Sequence, residues 1–189
     1  MKTFKERFEL NYAAVLVEKD GKEKIEYVYY APWYFWDSPT NNLSRDKTKV
    51  LLSTIVGIIV FLIVSTRRGE VNALAWVDIL VALSVGARIF ELMAAIRWKF
   101  AKPKVTQPFY KEINGILRIV PLLDACFMLA AAFLGFFFTK RIVAAEMTIL
   151  VSCGYLLCAV LSFSIRWFYV KLTFHTEKNQ ALKEHEGNY

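Results

Sequence analysis

The sequence predicts an all-α membrane protein: a bundle of four transmembrane helices built as two antiparallel helical hairpins, with a small cytoplasmic β-hairpin at the N-terminus. Three observations carry that expectation. Hydrophobic residues make up 56% of the 189-residue chain and charged residues only 22%, whereas a soluble domain is roughly 45–50% apolar. The excess is gathered into four runs, each near the ~20 residues that cross a bilayer. Ahead of them, Lys19-Asp20-Gly21-Lys22 joins two alternating segments, and Asp-Gly in that setting marks a hairpin turn.

Residues 12–18 read as the first strand and 23–30 as the second, with Ile25, Tyr27 and Tyr29 on one face. A lone two-stranded hairpin is marginal in water, so it is expected to lean on the membrane surface, its own helices or a partner chain. Seven of the ten residues 27–36 are aromatic. Trp and Tyr favour the headgroup zone, where a ring is half buried and its polar atom stays wet. The stretch therefore reads as an interfacial anchor ahead of the first span. The alternative is a docking surface on which Tyr27, Tyr29, Trp33 and Trp36 bind a partner protein. Residues 41–49 read as a polar linker.

Four spans are expected, at 50–66, 71–96, 119–138 and 142–167. The first carries no charge, the second Asp78, Arg88 and Glu91, the third Pro121 and Asp124, and the fourth Glu146. Only a few residues follow the first and third spans, which makes each pair a tight antiparallel hairpin. The chain thus divides into an extramembrane segment 1–49, a helical domain 50–170 and a cytoplasmic polar tail 171–189. Lys and Arg number nine before the first span, six between the second and third and four from Arg166, at the end of the fourth, onward, against two in each remaining loop. Cytoplasmic loops carry the basic excess, so both termini are expected in the cytoplasm of a multi-pass cell-membrane protein, of the bacterial inner-membrane kind. The same distribution accounts for the net charge of +7 without a nucleic-acid partner.

The second half echoes the first. Thr66-Arg67-Arg68 answers to Thr139-Lys140-Arg141, and Ile96-Arg97-Trp98 to Ile165-Arg166-Trp167. Two spans per unit would make this a parallel internal repeat about an axis along the membrane normal. The simpler reading of both Arg-Trp pairs is an interfacial stop at a helix end.

Ionisable groups inside a span are costly unless paired or hydrated, and so they are the first candidates for function. Arg88 and Glu91 lie three residues apart on one helical face and are expected to pair. Asp124 enters the third span at a similar depth, giving a buried charge cluster of Arg88, Glu91 and Asp124. It reads equally as a register-fixing triad or as a transport or proton-linked site. Pro121 just before Asp124 is expected to free a backbone carbonyl. Asp78 and Glu146 form an outer acidic pair in early helical turns, where they complement the helix dipole and lie near Arg67, Arg68, Lys140 and Arg141. Small residues four apart mark helix contacts: Ala82/Gly86, Ala131/Gly135, and Gly154, Cys158 and Ser162. Cys126, Cys153 and Cys158 fall in apolar runs without a CxxC pair, and read as packing residues rather than redox or metal ligands.

The sequence has no phosphate-binding glycine loop, HExxH or GxSxG, so no catalytic residue, metal or cofactor is expected. The expected function is that of a non-enzymatic accessory or regulatory subunit that binds another protein, or a second copy of itself, in the lipid bilayer. A small transporter or channel subunit using Arg88, Glu91 and Asp124 is the alternative, and an intramembrane enzyme the third.

Overall fold

Helices account for most of the chain in the structure, a computed structural model that describes residues 11–19, 22–39, 42–67, 71–139 and 145–179. The elements in order are β1 (Tyr12–Lys19), β2 (Lys22–Tyr29), β3 (Trp33–Asp37), α1 (Leu43–Ser65), a 3-10 turn (Val71–Ala73), α2 (Ala75–Lys99), β4 (Lys104–Val105), α3 (Gln107–Thr139), α4 (Ala145–Val170) and β5 (Thr173–Glu177). They fall into two compact units. One comprises Met1–Asp37, Lys102–Lys111 and Phe174–Tyr189, the other Ser38–Ala101 and Glu112–Thr173.

In the first unit, β1 and β2 pair antiparallel from Tyr12↔Tyr29 to Lys19↔Lys22. The Asp20-Gly21 turn itself lies outside the described residues. The shared face expected of Ile25, Tyr27 and Tyr29 does not share one environment. Ile25 and Tyr27 are 62% and 61% exposed, while Tyr29 is buried. Tyr29 stands at the base of the hairpin, where its ring meets Tyr12 at 5.4 Å and Trp33 at 4.6 Å. Its hydroxyl donates to the Pro32 carbonyl at 2.7 Å and accepts from the Gln107 N–H at 2.8 Å. Burial pushes the Tyr29 phenol above its usual range, against the opposing pull of the Gln107 N–H.

Within the aromatic run, expected as an interfacial anchor, Trp33–Asp37 is the middle strand of a three-stranded sheet, between β4 and β5. Its alternation sorts the rings. Tyr34 stacks on Tyr110 at 4.7 Å and Trp36 meets the same ring at 5.4 Å, building a small aromatic core with Phe174. On the other face, Lys104 lies over Trp33 and His175 stacks on Phe35. These rings are therefore engaged in tertiary contacts that no local pattern displays. For the same reason the segment read as a polar tail contains a strand, β5: its pairing partner is more than a hundred positions away in sequence.

The second unit holds four helices long and apolar enough to cross a membrane. Two begin earlier than expected. Residues 43–49 of the stretch read as a polar linker are the opening turns of α1: the Asn42 side chain caps it by accepting from the Arg45 N–H at 3.0 Å. Helix α3 starts at Gln107 and continues through Pro121, whose missing N–H leaves the Leu117 carbonyl without its usual helical donor. Each helix buries one stripe at three- and four-residue spacing: Val50, Thr54, Gly57, Phe61 and Val64 on α1, and Val151, Tyr155, Cys158, Ser162 and Ile165 on α4. The faces outside these stripes remain apolar, with Leu52, Ile59, Leu83, Phe90, Leu123 and Leu157 exposed. The helices are thus apolar on the outside and partly polar on the inside.

Close helix approaches fall at glycines. A side chain at Gly154 would strike Val64 of α1, and one at Gly135 would strike Ser152 of α4. The turn between α1 and α2 is tied by Asn72, whose amide donates to the Val64 and Arg67 carbonyls at 3.0 and 2.9 Å. The hydroxyl of Tyr155 donates to the Asn72 oxygen at 2.6 Å. These bonds tie the last turn of α1 and the residues just beyond it to the start of the next segment.

Candidate functional site

Helix α2 buries Val77, Ser84, Arg88, Glu91, Ala95 and Trp98, a spacing of four and three that keeps all of them on one inward face. Arg88 therefore enters the interior of the unit, and residues from all four helices surround it. Its Nη2 pairs with Asp124 Oδ2 of α3 at 2.9 Å. The same nitrogen lies 3.4 Å from the Ser162 hydroxyl of α4. Its guanidinium carbon sits 4.8 Å from the ring centre of Phe61 on α1. A side chain at Gly57 of α1 would come within 3.0 Å of Nη1, so the glycine makes room for the cation.

Asp124 is fully buried and well supplied with donors. The Ser84 hydroxyl donates to Oδ1 and the Ser162 hydroxyl to Oδ2. Two hydroxyls and a guanidinium replace the water that an ionised carboxylate would otherwise hold, which is the condition for keeping a charge in a low-dielectric interior.

Glu91 behaves differently. The sequence spacing predicts that it pairs with Arg88, but the ion pair formed is Arg88–Asp124. Side chains on a helix lean toward its N-terminus, so Arg88 is directed to the turn that carries Ser84 and not to the one ahead of it. Glu91 is 0% exposed and neither carboxyl oxygen has a hydrogen-bond partner among the described residues. Arg88 Nε and Nη1 are likewise without one. The three residues expected to cluster are thus all buried together, with one pair closed and one carboxyl left over.

The other candidates separate. Asp78 and Glu146 are both exposed in the first turns of α2 and α4. Neither forms an ion pair among the described residues; Arg68, Lys140 and Arg141 lie outside them. Of the small-residue pairs, Ala131 and Gly135 are buried, as are Cys158 and Ser162, and Gly154 packs on Val64. Ala82 is exposed and a side chain at Gly86 would meet nothing within 4 Å. Ser162 does more than pack, since it is a donor to Asp124. Among the partner-binding candidates Tyr27 is exposed and Trp33 half-buried, whereas Tyr29 and Trp36 are committed to the interior of their unit. Cys126 and Cys153 are exposed and Cys158 is buried. Among the described residues no group of three His, Cys, Asp or Glu side chains is placed to hold a metal.

Sequence reasoning missed Ser84 as a ligand of the cluster, together with Gly57 and Phe61. Ser84 had a usable signal: it lies four residues before Arg88 on the same helical face. Comparison with protein-family models, with curated proteins and with solved structures gave no match.

Proposed function

We propose that the four helices insert as a bundle, with both termini on the cytoplasmic side, and that the protein is a non-enzymatic accessory subunit that binds a partner protein through its strand unit. The observation that carries this reading is the make-up of that unit. Strand β3 precedes the first span, β4 lies between the second and third, and β5 follows the fourth, yet the three share one sheet. Strands cannot pair across a bilayer, so sharing a sheet supports one side for all three segments, the side that the basic excess marks as cytoplasmic. Anchoring in lipid alone requires no such folded unit, and its hairpin presents Ile25 and Tyr27 to the surroundings. Strand edges and aromatic faces are common sites of protein recognition.

The experiment compares the full-length protein with Ile25→Asp/Tyr27→Ala, purified in mild detergent. Both should insert in the membrane and elute alike. The wild type should carry a defined partner, identified by mass spectrometry and confirmed by reciprocal purification, and the variant should lose it. Equal recovery of that partner would defeat the reading. Reporters fused after residues 68 and 141 should report the opposite side from one at the C-terminus.

A second reading, a small transporter or channel subunit, draws on one observation, the unpartnered carboxyl of Glu91.

A further inference from the structure

The charge balance around Arg88 does not close with the residues present. Arg88 supplies one positive charge, and Asp124 and Glu91 can supply two negative ones. All three are buried, and the guanidinium is engaged by Asp124 at 2.9 Å. However Arg88 is shared between the two carboxyls, one of them is left over. An uncompensated buried charge is among the least tolerable features of a protein interior.

No other side chain among the described residues supplies the missing charge. The charged and titratable groups near the cluster are Arg88 on the same helix, Asp124 on α3 and the thiol of Cys158 on α4. Helix α1 contributes Gly57 and Phe61 there. Lysines of α1 and α2 are occupied near the helix ends: Lys47 donates to the Ala101 carbonyl at 3.1 Å, Lys49 pairs with Asp46 at 3.2 Å and Lys99 donates to the Thr48 hydroxyl. Arg97 pairs with Glu112, and Arg166 of α4 forms no ion pair with Glu91 among the described residues.

We propose that the Glu91 carboxyl is a binding site for one monovalent cation, a proton or a sodium ion, enclosed by the four helices beside the Arg88–Asp124 pair. The stoichiometry follows from the charge count, and the location from the two carboxyl oxygens that no described group engages. Asp124 is not the site, because two serine hydroxyls and the guanidinium already hold it. The inference goes beyond partner binding and does not depend on it.

A hydrophobic carbodiimide tests the site. It reacts with a carboxylic acid and not with a carboxylate: the acid proton moves to one nitrogen, the oxygen bonds to the central carbon, and an acyl shift to nitrogen leaves a stable acylurea. Full-length protein in mild detergent is treated with dicyclohexylcarbodiimide across a pH series, in choline chloride or sodium chloride, and digested for mass spectrometry. The expected result is an acylurea on Glu91 that diminishes as pH rises and is absent from Glu91→Gln. Suppression by sodium against choline identifies sodium as a competing occupant, and equal labelling in both salts assigns the site to the proton alone. Asp124→Asn supplies an independent arm: with one acid and one guanidinium left, Arg88 turns to Glu91, the added cation is no longer needed, and labelling is lost. Wild-type protein without a Glu91 adduct, or with one that answers to neither pH nor sodium, overturns the proposal. So does full labelling in a folded Asp124→Asn protein. If either variant fails to fold, the pH and sodium response of the wild type decides.

Discussion

The two units solve the same problem, hiding what their surroundings reject, with opposite materials. In the strand unit the hidden groups are rings: Tyr29, Trp36 and Tyr110 are buried. In the helical unit the exposed faces are Leu, Ile, Val and Phe, while Ser84, Arg88, Glu91, Asp124 and Ser162 are buried. Water makes burial of rings favourable by the hydrophobic effect. In the bilayer proposed for the helical unit there is no such gain for Leu against Leu, and association would rest on close packing and on polar groups that find each other. The difference teaches where single substitutions should hurt: at polar atoms and glycines among the helices, and at aromatic rings among the strands.

The largest effect should come from removing the cation. Arg88→Ala leaves the Asp124 and Glu91 carboxyls buried without it, and breaking a buried pair costs about 3–5 kcal/mol. Thermal unfolding in detergent should show that loss. Arg88→Leu with Asp124→Leu should recover most of it, because two apolar side chains replace a closed pair. A fully stable Arg88→Ala protein would mean that the helical unit does not depend on its interior polar groups.

Next come the glycines. Gly154→Leu forces a side chain into Val64, and overpacking of this kind costs about 1–3 kcal/mol. Gly86→Leu has open space and should change stability little. Both glycines stand in the same small-residue spacing, so unequal outcomes would separate contact from pattern, and equal outcomes would dissolve the distinction.

These cases show what was legible in the sequence. Four helices and a hairpin could be read because period and length report burial locally. The inward face of α2 was also legible, since Arg88 and Glu91 share a helical side. Pairing was not: whether Arg88 meets Glu91 or Asp124 depends on which helices become neighbours and on how side chains lean. The strand within the aromatic run was not legible for a related reason, because a ring buried by β4 and α3 looks in sequence like a ring buried by headgroups. The proposed repeat is echoed only at helix ends, and even there the surroundings differ, Trp98 being buried and Trp167 exposed.

A smaller effect is expected in the strand unit at Tyr29. Tyr29→Phe keeps the ring and removes the hydroxyl that bridges Pro32 and Gln107, at about 1–2 kcal/mol for the lost bonds. Hydrogen exchange should quicken at β1 and β2 and not in the helices. Burial raises this phenol, so its contribution is intact below the unfolded value of about 10 and is lost as pH rises through the higher folded one. Alkaline loosening of the hairpin that Tyr29→Phe abolishes would confirm the assignment. Loosening unchanged in Tyr29→Phe would place the titrating group elsewhere.

The smallest effect sets an exposed His–Asp contact, an ion pair only when the imidazole is protonated, against a buried ion pair. His175 Nδ1 lies 2.8 Å from Asp37 Oδ2, a separation close to the 2.9 Å between Arg88 and Asp124. Distance alone would rank the two alike. Their surroundings do not: the side chains are 51% and 45% exposed in the first pair, 4% and 0% in the second. Water and salt screen the exposed pair, and such pairs are worth about 0.2–1 kcal/mol. A double-mutant cycle of His175→Ala and Asp37→Ala, read by hydrogen exchange at β3 and β5, should give a coupling within that range that shrinks as salt is added. His175→Ala should itself cost somewhat more than the coupling, because it also removes the ring stacked on Phe35 at 5.0 Å. The same cycle at Arg88 and Asp124 should give a larger coupling that salt leaves nearly unchanged. If the two couplings proved equal in size and in salt response, solvent would not be what divides the units, and the reading of the helices as built for lipid would lose its energetic basis.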